Sequence, residues 1–183
     1  MPSNVEIKAI LSEPDAAHAI AARLSDTRPE TIHQEDVFFR CTGSRLKLRI
    51  LGAERGELIR YERADIADAR CSHYLIARTP DPEVLRDILN QSLGVTGVVR
   101  KVRTLYLVGQ TRIHIDRVQG LGDFLELEVM LRTDQNEIEG KRIAAALLAE
   151  FGIEGQQLIG EAYVDLLARQ ALLLPASHFF LGH

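Results

Sequence analysis

At 183 residues, 46% of them hydrophobic, and with a formal charge of −4, the chain is long enough for one sizeable domain and short for two. The mild negative charge excludes the pervasive basic field of a nonspecific nucleic-acid binder, so any basic site must be local. No apolar run is long enough to cross a bilayer and no basic-then-apolar leader is found, while Cys41 and Cys71 are too few and too far apart for a metal knuckle or a redox pair. A cytoplasmic protein with both cysteines as structural thiols is expected.

The first strand is expected over residues 3–10, where Val5 and Ile7 share one face and Asn4, Glu6 and Lys8 the other. Ser12, Pro14 and Asp15 then carry a helix-start signature, followed by an alanine-rich helix that includes His18. Residues 31–40 read as a strand with Gln34, Asp36 and Phe38 on one side. In residues 45–51 the faces separate cleanly: Leu46, Leu48 and Ile50 against Arg45, Lys47 and Arg49. A polar turn at Glu54-Arg55-Gly56 leads to a strand over 58–63 in which Ile59, Tyr61 and Arg63 share a side. A loop over 64–70 and a strand over 72–77 come next.

Asp81 and Pro82 start a second helix that Gly94 terminates. Residues 97–108 return to a strand, with Lys101 and Arg103 opposed by Val102. Thr111 to Leu131 reads as two strands joined at Gly120-Leu121-Gly122: Arg112, His114 and Asp116 oppose Ile113 and Ile115, then Glu126 and Glu128 oppose Leu125, Leu127, Val129 and Leu131. Glu137 to Phe151 is an amphipathic helix closed by Gly152, and Gln156 to Gln170 is expected to be one last helix.

Eight strands with mostly short links after the third favour antiparallel neighbours, and eight antiparallel strands can close into a barrel with room for one ligand. The expected fold is α+β: an eight-stranded antiparallel barrel, closed or nearly closed, a tunnel with a charged interior and helices packed outside. Residues 1–170 are expected to form this single domain, and 171–183 an apolar tail that covers the barrel or a partner subunit, which admits a homodimer.

The inward cations would be Lys8, Lys47, Arg49, Arg63, Lys101, Arg103 and Arg112, against Glu6, Asp36, Asp116, Glu126 and Glu128. Charges withdrawn from water are costly unless paired or bound to a counter-ion, so such a lumen needs a guest. Arginine forks and lysine point charges suit phosphate oxygens. Carboxylates gathered on the opposite side suit a divalent cation, magnesium or manganese rather than zinc. Asp36 is expected to hold cationic side chains in position, His114 to be a hydrogen-bonded lumen histidine, and Phe38, Phe39, Tyr61 and Tyr106 to pack in the core rather than stack on a base.

Taken in order, Asn4-Val5-Glu6-Ile7-Lys8, Lys47-Leu48-Arg49, Arg63, Lys101-Val102-Arg103, Arg112 with Asp116, and Gly122-Asp123-Phe124-Leu125-Glu126-Leu127-Glu128 resemble the CYTH family, the triphosphate tunnel metalloenzymes, which include class IV adenylyl cyclases, thiamine triphosphatases and inorganic triphosphatases. The resemblance covers residue 4 to about residue 168. It implies triphosphate-binding roles for Lys8, Lys47, Arg49, Arg63, Lys101, Arg103 and Arg112, metal ligation by Glu6, Glu126 and Glu128, and a catalytic set of Glu6, Lys8, Glu126 and Glu128. The family's opening motif is Glu-x-Glu-x-Lys; here Asn4 stands in its first place, which puts a second metal site in doubt. The implied activity is metal-dependent hydrolysis of a small-molecule triphosphate or polyphosphate with Mg2+ or Mn2+ as cofactor. The alternatives are cyclisation of ATP to cyclic AMP and a binding module without chemistry.

Overall fold

The structure, a computed structural model, describes residues 3–62 and 70–173. The loop expected from Ala64 and the tail beyond Leu173 lie outside the described residues. The strands are β1 (Ser3–Ile10), β2 (Glu30–Phe39), β3 (Arg45–Ile50), β4 (Gly56–Glu62), β5 (Arg70–Thr79), β6 (Val95–Val108), β7 (Thr111–Val118) and β8 (Gly122–Met130). The helices are α1 (Pro14–Leu24), α2 (Pro82–Leu93), α3 (Glu137–Glu150) and α4 (Tyr163–Leu173).

All neighbouring strands are antiparallel and form a closed barrel in the order β1-β5-β4-β3-β2-β6-β7-β8. Strand β1 completes the ring. Among the described residues it pairs with β8 from Asn4 to Ile10 and with β5 from Ser3 to Glu6, the shortest of the described seams.

The period-two pattern sends most charge inward and apolar side chains outward, so most of the hydrophobic core lies outside the barrel. Val5, Ile7, Ile113, Ile115, Leu125, Leu127 and Val129 form the wall against which α1 packs Ala17 and Ala21, and α3 packs Ala144 and Leu148. Helix α2 covers Val37, Phe39 and Leu48 with Leu85 and Leu89. Each fully buried aliphatic side chain contributes ~1.5–3 kcal/mol, so the outer contacts stabilise a barrel whose inner face cannot. No helix among the described residues is long and apolar enough to cross a membrane.

Two local expectations are corrected. Ser12 does not cap α1: the N-cap is Glu13, no side chain caps the helix, and Pro14 at the helix start removes a donor that would otherwise need one. The helix expected over Gln156–Gln170 is broken into a 3-10 turn (Gly155–Gln157) and α4. Between them Leu158 bridges to Ala9 and the Ile159 N–H donates to the Lys8 carbonyl at 2.9 Å, so the chain is recruited by the edge of β1 instead of coiling. The expected stops at Gly94 (φ 78°) and Gly152 (φ 64°) are left-handed, as a helix terminus with glycine allows.

Candidate active site

The inner face encloses a cavity of about 480 Å³. Into it project Asn4, Glu6 and Lys8 from β1, Lys47 and Arg49 from β3, Lys101 and Arg103 from β6, Arg112 and His114 from β7, and Glu126 and Glu128 from β8. Six of the predicted cations, Lys8, Lys47, Arg49, Lys101, Arg103 and Arg112, are thus brought to one lumen, as are Glu6, Glu126 and Glu128. Arg63 lies outside the described residues.

Two buried aspartates organise the cations. Asp36 accepts from Lys47 Nζ at 2.6 Å, Arg49 Nε at 3.2 Å and Gln34 Nε2 at 3.0 Å. Burial pushes its carboxyl up, but Lys47, Arg49 and Lys101 together outweigh burial and hold it well below the usual carboxylate range. Asp116, fully buried, accepts from Lys101 Nζ at 2.8 Å and from Arg103 Nε and Nη2 at 2.7 Å each. Burial raises its carboxyl too, and Arg103 and Lys101 reverse the effect. A bidentate arginine on a buried carboxylate fixes the guanidinium plane, so Arg103 is oriented before any ligand arrives. Lys47 keeps its proton less firmly: burial lowers it to about 8, against the pull of Asp36.

The glutamates Glu6, Glu126 and Glu128 collect on the adjoining strands β1 and β8, where Glu6 stands opposite Glu128 and Lys8 opposite Glu126. They are not segregated from positive charge, as the sequence pattern had suggested. Glu126 accepts from Arg103 Nη2 at 3.1 Å and lies 3.4 Å from His114 Nδ1; Glu128 accepts from Arg112 Nη1 at 3.3 Å. Burial and the nearby Arg103 guanidinium keep His114 below its ordinary value, against the pull of Glu126.

The departure at the first motif position is legible in atoms. Asn4 is buried, its Nδ2 donates to Glu128 Oε1, and its Oδ1 is a buried oxygen without a hydrogen-bond partner. The opposite amide orientation would set two acceptors against each other, so chemistry fixes the assignment. Among the described residues no three His, Cys, Asp or Glu side chains converge as an enclosed metal cluster. The donor chemistry nevertheless fits a hard divalent cation: an orphaned amide oxygen, with Glu6 and Glu128 in direct cross-strand register. Facing carboxylates at ~4.5–5.5 Å between Cβ atoms repel unless positive charge lies between them.

One end of the tunnel is crossed by the segment leading into α4. Ala162 and Tyr163 line the cavity. The Tyr163 hydroxyl donates to Asp116 Oδ2 at 3.1 Å, and its ring lies 4.2 Å from Lys8 Nζ and 5.0 Å from Lys101 Nζ. Burial, then the charges of Asp116 and Glu126, push its hydroxyl well above the ordinary tyrosine value.

Tyr163 was hidden in the sequence inside what read as a long helix. Glu57, Tyr74 and Arg78 also line the cavity. Each sits at or beyond an end of an expected strand, or on one whose faces showed no charge pattern, so alternation alone did not assign them. Phe38 and Tyr61 line the lumen, with Lys47 Nζ 5.6 Å from each ring, whereas Phe39 and Tyr106 pack in the outer core.

No curated protein matches the chain. Among solved structures it is similar to the PH1012 protein from Pyrococcus horikoshii OT3, with a TM-score of 0.78, 24% identity, and coverage of 89% of this chain and 98% of that one. It is also similar to a candidate adenylate cyclase from Vibrio parahaemolyticus, with a TM-score of 0.71, 21% identity and coverage of 90% and 97%. A third likeness is to HpAC1 from Hippeastrum, a protein with a dominant triphosphatase activity, at a TM-score of 0.64, 18% identity and coverage of 97% and 100%. At these identities the likeness is one of fold. The CYTH domain matches residues 3–163, all eight strands together with the start of the segment that crosses the barrel's end, and the chain belongs to the CYTH domain family.

Proposed function

We propose that the protein is a divalent-metal-dependent enzyme that binds a triphosphate in the basic tunnel and hydrolyses it. The observation that carries this reading is the convergence on one cavity of Lys8, Lys101 and Arg103, all buried, and of the partly buried Lys47. Withdrawing several cations from water into one enclosed space is costly; Asp36 and Asp116 offset part of that cost, and a polyanion is the ligand that offsets more of it.

Magnesium or manganese would be held by Asn4 Oδ1 and the carboxylates of Glu6, Glu128 and Glu126. When bound, such an ion neutralises charge on phosphoryl oxygens and acidifies water. The chain's own groups do the rest. Arg49 and Arg103, each held through Nε by an aspartate, offer their remaining guanidinium N–H groups to phosphate oxygens, while Lys8, Lys47 and Lys101 supply point charges. Asp36 and Asp116 hold these donors in place beforehand, so little reorganisation is needed when substrate arrives.

Incubation with tripolyphosphate, thiamine triphosphate or ATP, each with magnesium or manganese, tests the proposal through phosphate release and cyclic AMP detection. Phosphate release from at least one substrate, lost on chelation, is expected; cyclic AMP with pyrophosphate would instead assign a cyclase. Asn4 favours a second reading, a module that captures triphosphates without turning them over, because an amide carries no charge and makes a poor base. Heat stabilisation by tripolyphosphate with no turnover of any substrate would select that reading.

A further inference from the structure

The segment from Leu158 to Leu167 touches the barrel rim on several sides. It leaves β1 through the Leu158–Ala9 bridge, and Lys8 Nζ donates to the Glu161 carbonyl at 3.2 Å. Arg45 of β3 pairs with Asp165 at 2.7 Å. On β6, Gly97 leaves room for Val164, whose Cγ2 would stand 2.4 Å from a Cβ at that position. Tyr163 reaches Asp116 of β7, and Leu167 Cδ2 would lie 3.3 Å from a Cβ on Gly120 in the β7–β8 turn. In the ring order, β3 is separated from β1 by β5 and β4, and from β7 by β2 and β6. A segment fastened to β1, β3, β6 and β7 must therefore span the opening. Phe38, Val99, Val118 and Phe124 pack with Tyr163 into an apolar plug at the same end.

We propose that this segment is the floor of a blind tunnel, and that the protein accepts only the free terminal end of a phosphate chain. The inference rests on the triphosphate reading and specifies the substrate class within it. Lys8 and Lys101 stand directly over the Tyr163 ring, so the deepest cationic donors are reached only by a chain end that enters from the far mouth. A long polyphosphate has no exit through this end, and an internal stretch of it cannot reach the floor. Tyr163 acts as a positioning and specificity residue, not as a catalytic one.

Metal-free calorimetry on the full chain tests this without turnover. The titrants are tripolyphosphate, linear polyphosphate of several tens of units with free ends, and the same polyphosphate with both ends capped by a bulky amine. Tripolyphosphate and free-ended polyphosphate are expected to bind comparably per chain end, with two proteins per long chain at any length. Capping should weaken binding at least about tenfold, the scale of one lost charge-assisted contact. Tyr163→Ala should restore part of the binding of capped chains, while Tyr163→Phe should behave as wild type toward them. Equal affinity of wild type for capped and free-ended chains, or stoichiometry that grows with chain length, would overturn the blind tunnel while leaving triphosphate binding intact. Absence of tripolyphosphate binding would overturn the functional reading itself, and the inference with it. The wild-type comparison decides the matter even if Tyr163→Ala does not fold.

Discussion

Asp36 is a carboxylate whose burial would be prohibitive alone and is offset by Lys47, Arg49 and Lys101. Removing its charge leaves those cations facing one another, so Asp36→Asn is expected to destabilise the fold by ~3–5 kcal/mol, the scale of breaking a buried ion pair; chemical denaturation measures it. The sign of the pH effect follows from the depressed folded-state value. The stabilisation is fully present above the unfolded carboxyl's pKa of ~4 and is lost as pH falls below it. Lys47 behaves oppositely in kind. Burial lowers it to about 8, so above that pH an increasing share of molecules must take up a proton to bind phosphate through this group. Triphosphate affinity should therefore weaken by up to about tenfold per pH unit above 8 in wild type relative to Lys47→Arg, whose guanidinium does not titrate there. Parallel pH profiles of the two proteins would remove Lys47 from the binding set. The roles proposed on opposite walls separate similarly. Glu126→Ala or Glu128→Ala should lower turnover more than triphosphate affinity, whereas Arg49→Ala should raise KM or Kd; the reversed pattern would exchange the roles.

At the level of elements, the barrel depends on how closely α3 approaches β1. Asn136 and Glu139 form a capping box that fixes the start of α3, and one turn in, Gly140 lies against the strand. A Cβ on Gly140 would stand 2.6 Å from Val5 Cγ2 and 2.7 Å from Leu131 Cδ2. Gly140→Ala gains ~0.8–1 kcal/mol in helix propensity, yet the overpacking it forces typically costs 1–3 kcal/mol. A lowered Tm is expected, and a raised one would show that α3 can lift off β1 without penalty. Strand faces were legible in the sequence wherever charge and aliphatic residues alternate, as in Arg45–Ile50 and Thr111–Asp116, because period two is a local property. The ring order was not. The insertion of β1 between β5 and β8, and the adjacency of β2 and β6, are set by long-range pairing that no window of sequence contains. The break before α4 was illegible for the same reason: the helical pattern of Gln156–Gln170 yields to hydrogen bonds supplied by β1. Of the site, the motif-bearing cations and glutamates were readable, while Tyr163 and Glu57 depend on where elements end, the least determined feature of a sequence.

For the molecule as a whole, core and lumen make opposed demands. The outer contacts of α1, α2 and α3 hold the wall together from outside, while the inner face places Lys8, Arg49 and Arg103 on strands β1, β3 and β6 around one cavity. Among the described residues the β1–β5 seam pairs Ser3 to Glu6 against Arg70 to His73, the fewest ladder partners of any seam in the ring. Sub-global opening should start there, since cooperative units with few bonds open at lower free energy than the global transition. A polyphosphate held by groups on β1, β3 and β6 would tie the walls across the lumen and oppose separation of β1 from its neighbour. Beyond the global gain of ~2.7 kcal/mol at a hundred times its Kd, tripolyphosphate should slow amide exchange in β1 and β5 more than in β7, whose flanking seams are long. The effect should shrink as ionic strength rises and the charges are screened. Hydrogen exchange read strand by strand, with and without tripolyphosphate, measures this; uniform protection across the barrel would mean that the ligand stabilises the folded state without bridging its walls.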